Sequence, residues 1–98
     1  MRLNTSKMKT TYLITYDLKK PGRDYTSLYK AIKALGSWCH PVESTWFVNT
    51  TQEVIAIRDS LAAVMDTNDK LIVLKSSLPG ATQNLLQSDF DWLNSNLS

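Results

Sequence analysis

Asp17 is the residue whose type and position most directly indicate chemistry, because it closes the apolar, β-rich stretch TYLITYD at residues 11–17. Lys19, Lys20 and Arg23 follow it around a Pro-Gly turn. One interpretation is turn chemistry, in which the carboxylate caps neighbouring backbone N–H groups. The other is a carboxylate held by a rigid strand end for catalysis or for a divalent metal. Oxygen ligands of this type suit magnesium, manganese or calcium, and such a metal can activate water and stabilise a phosphorane-like transition state.

The positive charge of the chain is concentrated in its first third. The net charge is +2, but residues 1–35 carry eight Lys/Arg and two acidic residues, whereas residues 36–98 carry three and seven. A basic half of this kind attracts phosphates, although solvated helix surfaces produce the same imbalance. Lys19, Lys20 and Arg23 are the best candidates for nucleic-acid phosphate contacts, with a solvated turn as the alternative.

Hydrophobic periodicity predicts the elements that position these residues, in the order βαββαβ with a C-terminal appendage at residues 77–98. The predicted strands are 11–18, 38–43, 45–49 and 70–75, with Pro41 suited to an edge strand. The first helix starts at the N-cap Asp24 and stops at Gly36. The second starts at a Thr50/Glu53 capping box, and Ser88 caps a third. The buried positions predicted for the second helix are Val54, Ile57, Leu61, Val64 and Met65.

This order predicts an α+β, ferredoxin-like βαββαβ sandwich with sheet order 4-1-3-2 and both helices on one face. Asp17, the turn at Glu43–Thr45 and the segment Asp66–Lys70 then share one edge of the sheet. Asp17 and Leu13 belong to the face away from the helices, and a second copy of the protein is the natural cover for that face. Such a dimer brings two Asp17 carboxylates together, so that one takes a proton or a cation lies between them. The apolar run Leu71–Leu74 is typical of a strand covered on both faces.

Composition and length describe one domain, residues 1–98, of an ordinary globular protein, 43% hydrophobic and 20% charged. No apolar run approaches the roughly 20 residues that span a bilayer, and the first ten residues lack the apolar core of a secretory signal. We therefore expect no membrane partner. The single cysteine, Cys39, excludes an intrachain disulfide and suits the cytoplasm. Met8 is a second candidate start, and residues 1–9 are predicted to be flexible.

Three stretches of the sequence resemble a known family: TYLITYDL at residues 11–18, ESTWFVNT at 43–50 and DTNDKLIVLK at 66–75. They resemble the small CRISPR-associated adaptation nucleases, the second of the two core adaptation proteins. Virulence-associated protein D, a toxin ribonuclease, is similar in the same places. The resemblance spans residues 10–76, and its strongest element is Tyr16-Asp17.

The resemblance implies a homodimeric endonuclease acting on RNA or DNA, in which Asp17 of each chain is catalytic and binds Mg²⁺ or Mn²⁺ at the interface. Ser44 matches the serine of the family's hairpin motif, with Thr45 beside it as a second supporting residue. Two alternatives come with it: a non-catalytic module that bridges nucleic acid and an integrase partner, and a toxin-type ribonuclease with an antitoxin partner. Arg23 stands where the family often has several arginines, and the Trp92-Leu93 segment is not the usual tail.

Other residues of reactive, metal-binding or base-stacking type are interpreted as having structural roles. Cys39 and His40 are neighbours on a strand and point to opposite faces, and the chain has no second Cys or His to complete a zinc shell. The segment Asp66–Asp69 lacks the glycine and distal glutamate of a calcium loop and is predicted to be a turn. Aromatic residues can stack on bases, but their positions favour core or interface packing; they are Tyr25, Tyr29, Trp38, Trp46 and Trp92.

Overall fold

The computed structural model describes residues 8–98. The strands are β1 (Thr10–Asp17), β2 (Ser37–Val42), β3 (Thr45–Thr50) and β4 (Lys70–Lys75), and the helices are α1 (Thr26–Lys33), α2 (Val54–Ala62) and α3 (Gln87–Asn96). The predicted α+β class is confirmed. The predicted flexibility of residues 1–9 falls largely on residues 1–7, which lie outside the described residues. Between residues 8 and 98, no helix is long and apolar enough to cross a membrane.

The four strands form one antiparallel sheet in the order β2-β3-β1-β4. Read from β4, this is the order 4-1-3-2. In the register of the central strand β1, Asp17 lies opposite Lys70 of β4, and Thr15 lies opposite Thr45 of β3. The end of β1, the β2–β3 turn and the start of β4 therefore meet at one edge, as the alternation of the sequence indicated.

Helices α1 and α2 cover the same face of the sheet. Every second residue of β1 points to this face, and these side chains meet the apolar positions of both helices, so that the buried core contains Ile14, Tyr16, Leu28, Ile32, Trp46, Val48, Ile57 and Leu61. Burial of each such aliphatic side chain contributes about 1.5–3 kcal/mol. The core therefore fixes the direction in which the remaining β1 residues, including Asp17, leave the sheet.

Helix α3 lies on the opposite face and covers one end of it. The Cys39 thiol approaches the Asp89 carboxylate at 3.4 Å, and Trp92 Nε1 donates to Ser37 Oγ at 2.8 Å. The buried Thr11 hydroxyl donates to the Asn96 carbonyl at 2.6 Å. Burial, with the Asp89 carboxylate, raises the pKa of the Cys39 thiol to about 12. Cys39 is therefore a protonated packing residue at neutral pH, as predicted.

The predicted helix starts are wrong in detail. Tyr25 occupies the N-cap position of α1, although the Asp24 carboxylate still accepts a hydrogen bond from the Thr26 N–H at 2.9 Å. Glu53 occupies the N-cap position of α2 without a side-chain cap, because Thr50 ends β3 opposite Thr10. Ser88 lies inside α3, whose N-cap is Leu86.

The prediction that β4 is covered on both faces is also wrong for the single chain. Leu71 and Val73 pack against the core, whereas Ile72 and Leu74 are 53% and 58% exposed. Helix α3 reaches the β2 side of this face and leaves the β4 side uncovered. On α2, Val54 is exposed rather than buried.

Candidate functional site

Asp17 lies at the edge where the three segments meet, with its side chain 56% exposed. Its Oδ2 atom is 2.6 Å from the Lys19 ammonium, and Lys70 is its neighbour across the β1–β4 ladder. Among residues 8–98, no backbone N–H donates to the Asp17 carboxylate. The turn-capping interpretation of Asp17 is therefore wrong for these residues, in which its carboxylate pairs with the Lys19 ammonium.

Asp69 is the carboxylate that caps this turn. Its Oδ1 atom accepts hydrogen bonds from the Lys19 N–H at 2.7 Å and from the Tyr25 hydroxyl at 2.9 Å. Its Oδ2 atom accepts a bond from the Asp66 N–H at 2.8 Å. Burial opposes ionisation of Asp69, but these hydrogen bonds and the Arg23 charge together hold its pKa below the ordinary value. The predicted turn at residues 66–69 and its position beside the end of β1 are confirmed, whereas the capping of the Lys19 N–H by Asp69 was not predicted.

Asp69→Asn is expected to destabilise the protein by about 2 kcal/mol at pH 7, because two backbone N–H groups and one hydroxyl lose a charged acceptor. Since the folded-state pKa is depressed, this stabilisation is present above the unfolded pKa of about 3.9. It is lost as the pH falls through the folded pKa. Urea unfolding from pH 7 to pH 3 should therefore show the two proteins converging in stability. Asp59→Asn, at an exposed helix position, is the control, and a constant difference across this range would contradict the assignment.

The three predicted phosphate-binding residues each have a carboxylate partner. Lys19 contacts Asp17, while the Lys20 ammonium and the Arg23 guanidinium lie 4.0 Å and 3.5 Å from the same Asp66 oxygen. The guanidinium also lies 5.4 Å from the centre of the Tyr25 ring. The edge therefore combines both signs of charge, and its cations are partly neutralised in the single chain.

Ser44 and Thr45 tie the β2–β3 hairpin to β1. Ser44 sits at the reversal with φ +62°, and its carbonyl accepts hydrogen bonds from the Tyr16 N–H at 3.1 Å and the Thr15 hydroxyl at 3.0 Å. The Thr45 and Thr15 hydroxyls are 3.1 Å apart. Both predicted supporting residues thus contact the strand that ends in Asp17, and they fix its position rather than contact Asp17 itself.

Asp17 does not belong to a cluster of metal-binding side chains among the described residues. Between residues 8 and 98 there is no group of three or more His, Cys, Asp or Glu side chains that is placed to hold a metal ion. Asp17 supplies a single carboxylate with a lysine beside it. Under the dimer hypothesis, a second Asp17 supplies a further carboxylate at this position.

The sheet face opposite α1 and α2 carries a largely apolar surface, which we call the open face: Leu13, Thr15, Phe47, Ile72 and Leu74. Ile72 and Leu74 are exposed, and the other three are half-buried. Leu13 lies between Phe47 and Leu74 in the registers of its two neighbours, and Thr15 lies beside Ile72. A groove of about 370 Å³ between α3 and the loop at residues 76–82 continues this surface. A shallow hollow at the other end is lined by Thr15, Ile72 and Asp17, so Asp17 stands at the margin of the open face.

Comparison of the chain with protein-family models, with curated proteins and with solved structures finds no match. The resemblance to the adaptation nucleases accordingly stays a prediction from the three motifs.

Proposed function

We propose that the protein is a cytoplasmic homodimer of ferredoxin-like fold that binds nucleic acid and cleaves it with Mg²⁺ or Mn²⁺ held between two Asp17 carboxylates. The observation that carries this proposal is the placement of Asp17 at the margin of an apolar sheet face that residues 8–98 cover only in part. The ferredoxin-like assignment is supported by the β2-β3-β1-β4 order and by the packing of α1 and α2 on one face.

The open face fits a second copy of the same chain. Exposed apolar patches on small proteins mark interaction surfaces. Ile72 and Leu74 are more than half exposed, whereas Leu71 and Val73 of the same strand pack against the core. The margin carries both Asp17 and Lys70. A twofold contact sets one patch against its own copy, and a patch that is apolar inside with both charges at its rim is complementary to itself.

The ion pair between Asp17 and Lys19 does not oppose metal binding strongly. Both side chains are about half exposed, and an exposed ion pair of this kind contributes about 0–1 kcal/mol. When two Asp17 side chains approach each other, their repulsion favours a bound divalent cation over a shared monovalent lysine. Lys19 is then released toward a phosphate at the same edge. The metal, when bound, supplies an activated water and charge stabilisation for phosphodiester cleavage.

A second function, a non-catalytic nucleic-acid-binding module that bridges to a partner such as an integrase, is favoured by one observation. The Asp17 carboxylate is paired with a lysine rather than grouped with other acidic side chains, an arrangement that neutralises it without a metal. A toxin-type ribonuclease with an antitoxin partner shares the Asp17 site and differs in its biological context.

The dimer is tested by placing a charge on the open face. Wild-type protein should sediment at twice the chain mass at micromolar concentration, and Leu74→Lys should sediment as a monomer, because it buries charged groups in an apolar contact. Ile55→Lys is the matched control, since Ile55 is 56% exposed on α2, away from this face. A monomeric wild type, or equal dimerisation of both variants, would contradict the proposal.

The catalytic part is tested by incubating wild-type protein with labelled RNA and DNA, in manganese or in EDTA. Cleavage in manganese alone supports the endonuclease. Binding without cleavage in either buffer would instead favour the bridging module.

A further inference from the structure

Strand β2 projects beyond the cover of α1 and leaves two aromatic rings at the surface, which we call the aromatic surface: Trp38 and His40. Trp38 is 40% exposed, and His40 is also exposed. Both rest on Trp46, which is 2% exposed. The His40 ring lies parallel to the Trp46 ring, with 3.8 Å between centroids and 10° between planes. The Trp38 and Trp46 centroids are 5.3 Å apart.

The aromatic surface has a rigid support. The Trp46 indole N–H donates to the Tyr16 hydroxyl at 2.9 Å, and Tyr29 of α1 stacks near the same indole, with 6.2 Å between centroids. Because the His40 ring contacts Trp46 with one flat side, its other side is left for a further planar group. Burial lowers the pKa of His40, against the opposing charge of Asp89, and this favours the neutral ring.

One lysine of α1 adjoins these rings, and a second lies one turn before it, where its charge acts at longer range on Asp24. The Lys33 ammonium lies 4.9 Å from the centre of the Trp38 ring, and Lys30 precedes it by one turn of α1. In the part of the chain from residue 8 onward, neither lysine forms an ion pair. This distinguishes them from Lys19, Lys20 and Arg23, whose charges are partly neutralised by Asp17 and Asp66.

β2 is an edge strand of the sheet, but two of its features disfavour pairing with a strand of another protein. Pro41 removes one backbone donor, and the β2–β3 register shifts between Cys39 and Val42. Bulges and prolines of this kind protect edge strands against strand addition. The aromatic surface is therefore better suited to a ligand that is bound by ring faces and positive charge than to an added strand.

We infer that the aromatic surface binds single-stranded nucleic acid, with an unpaired base stacked on Trp38 or His40 and adjacent phosphates in contact with Lys30 and Lys33. Aromatic rings beside cations are the features that bind single strands without regard to sequence, whereas a duplex hides its base faces. The inference rests on the proposed function only in taking nucleic acid as the ligand. It requires neither the dimer nor Asp17.

The experiment measures binding of fluorescein-labelled dT and U dodecamers by anisotropy, in EDTA and with the Asp17→Asn protein, so that cleavage does not interfere. Trp38→Ala should weaken binding about tenfold, within the range for loss of one stacked base. Lys30→Gln combined with Lys33→Gln should weaken binding and reduce the salt slope by about 1.4, or 0.7 for each phosphate contact on a single strand. Lys9→Gln combined with Lys75→Gln removes the same charge elsewhere and should leave affinity near that of the parent.

Two results would overturn the inference. One is no binding of either dodecamer at 50 mM salt. The other is equal affinity of the two double-lysine variants, whether both bind like the parent or both bind more weakly. The exposed lysine variants keep the test valid if Trp38→Ala proves unstable. Failure of the proposed function is distinguishable, because dodecamer binding at Trp38 with no metal-dependent cleavage by the wild type removes the endonuclease and keeps the aromatic surface. Cleavage by the wild type, with unchanged dodecamer binding in every variant, would support the endonuclease and contradict the role of the aromatic surface.

Discussion

Asp17→Asn is expected to abolish metal-dependent cleavage of nucleic acid while leaving the fold intact. The amide keeps the shape of the side chain and one acceptor oxygen but removes its negative charge, and in the dimer it removes both carboxylates of the pair. Loss of an outer-shell partner already reduces metal affinity or activity by roughly 10- to 100-fold, so loss of the ligand itself should exceed about 100-fold. Because the Asp17 side chain is half exposed and, within residues 8–98, forms an ion pair with Lys19 alone, the stability loss should stay below about 1 kcal/mol.

Asp59→Asn is the matched control for this prediction. Asp59 is also an exposed carboxylate in an ion pair, 2.8 Å from the Arg58 guanidinium. It belongs to α2, which packs on the sheet face opposite the open face. Both variants and the wild type should be purified identically and assayed on labelled RNA and DNA with manganese or EDTA. Equal cleavage by Asp17→Asn and wild type would indicate a contaminating nuclease or another site, and the assignment of Asp17 would be wrong.

The meeting of Asp17, the β2–β3 turn and the start of β4 was predictable because it depends on two regular features. Period-two alternation in β1 fixes which residues face the helices, and the strand order fixes which strand ends meet. The observed pairing of Asp17 with Lys70 and the contact of Ser44 with Tyr16 follow from these features. Neither depends on a particular side-chain rotamer.

What the sequence did not reveal depends on contacts between distant residues. Whether Asp17 or Asp69 caps the turn at Lys19 is decided by a hydrogen bond across 50 residues, and both carboxylates have the local sequence for the role. The failed capping box at Thr50 has a similar cause, because ladder pairing with Thr10 extends β3 and overrides the local helix signal. The exposure of Ile72 and Leu74 arises because α3 covers only part of the face, and a continuous apolar run does not encode that placement.

Gly36→Ala is expected to destabilise the protein by about 3 kcal/mol, the largest loss of stability among the substitutions considered. Gly36 joins α1 to β2, and a Cβ atom there would lie 2.3 Å from the Asn49 carbonyl oxygen, which belongs to the backbone of β3. A side chain can rotate away from such a clash, but this carbonyl is fixed by its strand. The α1–β2 connection must therefore move away from β3, at a cost at or above the upper end of typical overpacking, about 1–3 kcal/mol.

Gly80→Ala provides the control, because a Cβ atom at Gly80 meets nothing within 4 Å. The measurement is urea unfolding of the wild type and both variants at pH 7, with comparable slopes for all three.

Gly36→Ala should also weaken binding at the aromatic surface. Gly36 lies between Lys33 and Trp38 in the chain, and its displacement shifts Lys33 relative to Trp38. Equal unfolding midpoints for the two alanine variants would contradict the prediction, because they would show that the α1–β2 connection moves away from β3 without cost.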